Sequence, residues 1–351
     1  MGTATSRPAR QLAMVFDLNK CLGCQSCSIA CKTLWTDAPG MESMWWNIVN
    51  TMPGGGTPRN VFSHGGGYRD GQPVPGTFPP LREFGEAWDF DHQAVFEGPP
   101  GERIPLHPRE HDGSTPSWGP NWDEDMGGGI YPNSFFFYLQ QVCANCSNPA
   151  CMEACPRESL YRREEDGVIL IDEERCHGYR FCAEACPYKR IYFNPQRAIA
   201  QKCISCYPRL EAGVAPACVR QCPGRVRHID YMDNLEGHPH KLVKEWKVAL
   251  PLHPEFGTEP NVFYVPPLGP SAFNEAGEFD DSKQRIPLDY LREMFGPGVD
   301  DALETIKRER EKTTRGEPSE LMDILISRDW NDLMGPFTQN PAVLQRPPVV
   351  R

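Results

Sequence analysis

Cys21-Leu22-Gly23-Cys24-Gln25-Ser26-Cys27-Ser28-Ile29-Ala30-Cys31 sets four thiols close together, separated by two, two and three residues. The pattern returns three times. Cys143, Cys146, Cys151 and Cys155 repeat it with two extra residues before the third thiol, and Cys203, Cys206, Cys218 and Cys222 repeat it with Tyr207 to Ala217 looped between the second and third. Cys176, Cys182 and Cys186 keep the original spacing, but Tyr179 stands in the second slot. The last three runs end in Cys-Pro, at Pro156, Pro187 and Pro223, and the four runs use all fifteen cysteines of the chain.

This spacing is that of bacterial ferredoxin runs, in which three thiolates hold three iron corners of a cubane and the fourth reaches a different cluster. Disulfides fit poorly, because they belong mainly to short secreted chains and need no C-x2-C repeats. Zinc also uses C-x2-C pairs, but three cysteines as close as Cys21, Cys24 and Cys27 crowd a tetrahedral site. Asp17 to Lys20 reads as the end of a strand entering the binding loop, and Ser28 to Trp35 as the short helix that carries Cys31 away.

The fourth-cysteine rule suggests a pairing of runs. The second and third are neighbours in sequence and form one two-cluster unit: Cys143, Cys146 and Cys151 with Cys186, and Cys176 and Cys182 with Cys155. The first and last then give Cys21, Cys24 and Cys27 with Cys222, and Cys203, Cys206 and Cys218 with Cys31. Pairing first with second and third with fourth is the open alternative, although it spans the long insertion after Cys31. Tyr179 offers a phenol of ordinary pKa near 10 where the pattern wants a thiolate. The expected result is a 3Fe-4S centre of relatively high potential; a cubane with water, hydroxide or phenolate on its fourth iron is the other possibility.

The chain has 351 residues, with 36 Pro and 31 Gly, well above average usage of about 12% for the pair. Much of it is therefore expected to be loop, held by cluster binding that doubles as folding energy. A net charge of −11 argues against nucleic acid, whose binders present basic faces. No stretch reaches the roughly 18 apolar residues of a membrane span. Met1 to Gln11 carries Arg7 and Arg10 but no apolar signal core, so an export signal is expected on a partner, if anywhere.

The predicted fold class is α+β: two nested ferredoxin-like βαββαβ units, a long irregular insertion and a C-terminal helical extension. Residues 10–35 with 198–245 form the outer unit, 36–135 the insertion, 136–197 the inner unit and 246–351 the extension. The insertion has three Gly triplets, but its five tryptophans argue for order, and it is read as a folded cover that also contacts a partner. Val168 to Asp172 and Ile191 to Phe193 are predicted strands. His238 to Leu250, Pro287 to Arg315 with a break near Gly296-Pro297, and Ser319 to Ser327 are predicted helices that pack on a partner or on the cluster core. Nothing resembles a site for substrate turnover: the nine histidines show no ligand spacing on a helix, and no G-x-S-x-G or P-loop occurs. His177 and the flanking Lys20, Lys32, Arg180, Lys189, Arg190, Lys202 and Arg220 could raise cluster potentials, with ordinary solvation as the default for each.

The four runs, the aromatic in the second slot of the third, and the stretches Asp17 to Cys31, Pro120 to Gly129, Lys202 to Pro208 and Val248 to Pro267 resemble one family over nearly the whole chain. It is the iron-sulfur (beta) subunit of type II dimethyl sulfoxide reductase family molybdoenzymes, which include nitrate, chlorate, perchlorate and selenate reductases, dimethylsulfide dehydrogenase and ethylbenzene dehydrogenase. The resemblance implies three 4Fe-4S clusters and one 3Fe-4S cluster on the fifteen cysteines. It also implies a molybdopterin-containing catalytic alpha subunit, a haem b gamma subunit or other redox partner, and no catalysis by this chain itself; a self-sufficient iron-sulfur reductase with a substrate pocket in its aromatic-rich insertion is the alternative. Because the cytoplasmic nitrate reductase subunits are longer, it points to a periplasmic complex exported by the partner's twin-arginine signal, with a cytoplasmic, membrane-associated complex as the alternative.

Overall fold

The computed structural model describes Pro8, residues 10–85 and residues 127–340. Trp88, Trp118, Trp122, the Pro120 to Met126 part of one family-like stretch, and Met1 to Arg7 lie outside the described residues.

Leu12–Asp17 is a strand buried along its whole length. It is central in a four-stranded sheet, antiparallel to Arg227–Tyr231 on one side and parallel to Val262–Val265 on the other, with Leu250–Pro251 at the far edge. Alternation along the strand sends its side chains to two different cores. Leu12, Met14 and Phe16 join the main core, which contains Cys27, Cys31, Cys203, Cys218 and Cys222. Val15 faces the opposite way, onto Leu242, Val248, Ala302, Ile306, Leu321 and Ile324. The C-terminal helices Leu288–Phe295, Val299–Thr314 and Glu320–Ile326 therefore help cover the back of this sheet, while cysteine runs occupy its front. Ser319 caps the last of them, its hydroxyl accepting from the Met322 amide at 3.3 Å, as its position predicts.

Two hairpins carry the middle of the chain, Leu160–Arg162 with Ile169–Ile171 and Ile191–Asn194 with Ile199–Lys202; both predicted strands lie in them. The helix expected over His238 to Leu250 is shorter. Helical turns run from His238 to Glu245, after which Lys247 adopts φ 54° and the chain reverses, the Val248 and Ala249 amides both bonding Leu242 O. Leu250 is then free to enter the sheet.

The described part of the insertion is folded. Asn47–Met52 pairs in full register with Phe137–Val142, so the first strand of segment 136–197 has its partner in the insertion. Trp45 and Trp46 are buried. Further on, Gly67 N donates to Ala185 O at 2.9 Å, laying a glycine-rich loop against the turn that precedes Cys186. Among the described residues no helix is long and apolar enough to cross a membrane.

Candidate iron-sulfur sites

All fifteen cysteines are free thiols. The four runs share a backbone device that spacing alone does not reveal. The residue before the second slot is left-handed in each: Gly23 (φ 65°), Asn145 (43°), Gly178 (67°) and Ser205 (53°). The second-slot residue follows this bend in every run, and Tyr179 occupies the same place in its loop as Cys24, Cys146 and Cys206 in theirs. The Cys-Pro ends form a second repeated turn. Glu158, Lys189 and Arg225, each three residues past the cysteine, are left-handed (46°, 49° and 50°) and donate their amides to the carbonyls of Cys155, Cys186 and Cys222 at 3.0, 3.2 and 3.2 Å. The following amide then reaches the thiol: Ser159 N to Cys155 Sγ at 3.4 Å, Val226 N to Cys222 Sγ at 3.5 Å, and the Arg190 amide to Cys186.

The fold sorts the cysteines into four sets. Cys21, Cys24, Cys27 and Cys222 line one cavity together with Gln140 and Arg227. Cys31, Cys203, Cys206 and Cys218 line another, beside Trp35 and Trp46. Cys151 lies within electrostatic reach of Cys186, Cys143 and Cys146, and Cys182 of Cys155 and Cys176. Each set crosses between runs. Neighbouring sets also lie within electrostatic reach of one another, Cys218 of Cys27, Cys203 of Cys143 and Cys182 of Cys186.

Burial pushes most of these thiols up, Cys21 to about 11 and Cys182 and Cys206 to about 12, with neighbouring cysteines adding to the rise. Such thiols ionise only when a cationic core displaces their protons. Among the described residues no three His, Cys, Asp or Glu side chains converge closely enough for a single metal ion. A thiol-lined cavity with the buried Arg227 guanidinium beside it fits a thiolate-bound, anionic iron-sulfur core. Cys155 is the exception in its protonation: burial raises it, but the Ser159 hydroxyl at 3.0 Å and the amides of Ser159, Arg157 and Leu160 outweigh burial and hold it below the ordinary thiol value.

Tyr179 is 54% exposed and lies in a row of rings, 6.2 Å from both His177 and Phe181. His177 is exposed beside it. The basic residues flagged by the sequence are largely not solvated: Lys32, Lys189, Arg190 and Lys202 are each at most 5% exposed. They tie down backbone carbonyls. Lys32 Nζ reaches Met41, Glu42 and Met44; Lys189 reaches Glu184; Arg190 reaches Tyr188 and Thr57; Lys202 reaches Ile169 and Cys203. Lys20 bonds Arg225 O and Leu325 O, Arg220 bonds Gln339 O, and Arg180 lies over the Phe193 ring. Sequence reading misses side chains that address the thiols directly, among them Trp35, whose Nε1 donates to Cys206 Sγ at 3.1 Å, Ser159, and Arg227, whose Nη2 donates to Cys27 Sγ at 3.2 Å.

Residues 134–231 match the family described as a 4Fe-4S dicluster domain. Over 331 residues the chain is 50% identical to the selenate reductase subunit beta of Thauera selenatis, covering 93% of this chain and 99% of that one. It is 49% identical to the perchlorate reductase subunit beta of Dechloromonas aromatica (95% and 98% covered) and 50% identical to the dimethylsulfide dehydrogenase subunit beta of Rhodovulum sulfidophilum (90% and 96% covered). The chain belongs to this family of beta subunits. Like its relatives it is the iron-sulfur electron-transfer subunit of a type II dimethyl sulfoxide reductase family molybdoenzyme, and it is not the catalytic subunit. The beta subunit's four cysteine sets are the part of the fold that such a role needs.

Proposed function

We propose that the beta subunit relays single electrons through three 4Fe-4S clusters and one 3Fe-4S cluster. Cys21, Cys24, Cys27 and Cys222 hold the first; Cys31, Cys203, Cys206 and Cys218 the second; Cys143, Cys146, Cys151 and Cys186 the third. Cys155, Cys176 and Cys182 hold the 3Fe-4S cluster, with Tyr179 in the vacant slot. The observation that carries this reading is the crossing of runs: Cys31 shares its cavity with the fourth run rather than with its own, the exchange that two-cluster ferredoxins make. The electrostatic reach between neighbouring sets supports a single row in the order first, second, third, fourth. Residues 10–35 with 198–245 and residues 136–197 are then the outer and inner ferredoxin-like units, with 36–135 as cover and 246–351 as back support and docking extension.

The electrons pass between a molybdopterin-containing alpha subunit and a haem b gamma subunit or other redox partner. The complex is placed in the periplasm, exported with the alpha subunit's twin-arginine signal. Bound clusters supply the one-electron chemistry; the chain supplies ligands, spacing and a dry, cationic surrounding. Purified anaerobically, the subunit is expected to contain about fifteen irons, with matching acid-labile sulfide. Its oxidised form should show a 3Fe-4S type EPR signal that disappears in Tyr179→Cys as the iron count rises by about one. An unchanged spectrum in a folded, fully loaded Tyr179→Cys protein overturns the assignment of that site.

A further inference from the structure

Arg227 begins the strand that pairs with Leu12–Asp17, directly opposite Phe16. Alternation turns its side chain inward, where the guanidinium lies 4.4 Å over the Phe16 ring and is 1% exposed. A buried cation requires a counter-charge. The charges that act on Arg227 most strongly are those of Cys27, Cys218, Cys222 and Cys21, cysteines of both the first and the second set. Nη2 donates to Cys27 Sγ at 3.2 Å, and the guanidinium also hydrogen-bonds the Cys218 thiol.

We propose that Arg227 is a potential-setting residue shared by the first two clusters, its one buried charge favouring the reduced state of both and its guanidinium hydrogen-bonding a thiol of each, Cys27 and Cys218. A cluster gains one negative charge on reduction. A fixed positive charge and an added N–H donor in a dry site both stabilise that form and raise the potential. The third and fourth clusters lie beyond the second in the row and are left nearly unmoved. This makes Arg227 a device for keeping the first half of the row reducible although its thiolates are buried.

The inference rests on the cluster assignment proposed above, and the two fail separately. An iron count far below about fifteen in the wild-type chain sinks the assignment, whereas full iron with unmoved potentials sinks only the role of Arg227. The test is potentiometric EPR on the anaerobically purified full chain as wild type, Arg227→Met and Arg227→Lys, each with iron and sulfide counted. At a fixed poise, Arg227→Met is expected to lower the reduced-to-oxidised ratio of two cubanes by about tenfold, equivalent to about 59 mV for one electron. The 3Fe-4S step serves as the unmoved internal reference. Arg227→Lys keeps the charge but loses the fork, so it shifts the same two steps by less. Either variant with full iron and both steps at wild-type potential overturns the proposal; if Arg227→Met does not load, Arg227→Lys decides.

Discussion

Gly76→Ala tests whether the insertion seals the third cluster site. A Cβ at Gly76 falls 2.0 Å from Glu184 O and 3.0 Å from Glu184 C, both backbone atoms of the helical turn that delivers Cys186. Normal contact needs about 1 Å more, and overpacking of this kind costs about 1–3 kcal/mol. Glu184 O also accepts the Lys189 Nζ bond at 2.7 Å from a side chain only 1% exposed, and losing it adds about 1–3 kcal/mol. The sum, about 2–6 kcal/mol, is a large share of ordinary domain stability. Gly71→Ala is the control: nothing lies within 4 Å of its Cβ, but its φ of +73° is strained for alanine, so it costs about 1–2 kcal/mol. The assay is the loss of cluster absorbance in guanidinium under argon. If only about 2 kcal/mol is felt before release, Gly76→Ala loses clusters about thirtyfold faster than wild type, and its EPR changes are confined to the third and fourth sites. A Gly76→Ala protein no less stable than Gly71→Ala, or one that releases the first two clusters first, refutes the reasoning.

Two further outcomes follow from the same physical terms. His228 is fully buried, its Nδ1 2.9 Å from His238 Nδ1 and its Nε2 unpartnered; burial first, then the charges of His238 and Lys20, hold its pKa well below the ordinary value. The unfolded chain takes up that proton and the folded chain does not, so stability is full above about pH 7 and falls as pH drops. The loss is about 1.4 kcal/mol between pH 7.5 and 5.5 relative to His228→Asn, and parallel urea midpoints for the two proteins across that range would contradict this. Trp35→Phe removes the 3.1 Å bond to Cys206 Sγ and is expected to lower the potential of one cubane at unchanged iron content; potentiometric EPR with all steps at wild-type values would count against it.

What the sequence shows and what it hides divide along physical lines. Ligand runs are legible because cluster chemistry fixes residue type and interval locally. Three of the four left-handed residues before the second slot carry a hint in their identity, Gly23, Gly178 and Asn145, but Ser205 does not, and the repeat emerges only once φ is known. The exchange of strand partners is hidden: Phe137–Val142 looks self-sufficient until Asn47–Met52 lies beside it, because pairing across that distance leaves no local mark. Val262–Val265 passes for part of a docking extension, since a four-residue apolar run reads equally well as strand or buried loop.

The buried cations are the most instructive miss. Lysine and arginine are almost never fully buried unless paired, so solvation is the sensible default for Lys189, Arg190 and Lys202, taken one at a time. Their 1–2% exposure reverses that default once the counter-charge is considered for the set. Each cubane with four thiolates is anionic, and a row of anionic bodies inside one chain would repel itself and resist every added electron. Interleaved cations relieve both problems together: they offset the local negative charge and lower the cost of reduction. Without clusters the same residues are uncompensated charges in a dry core. The chain is therefore expected to fold around its clusters rather than ahead of them, which ties its high loop content, its buried positive charge and its fifteen cysteines to one cause.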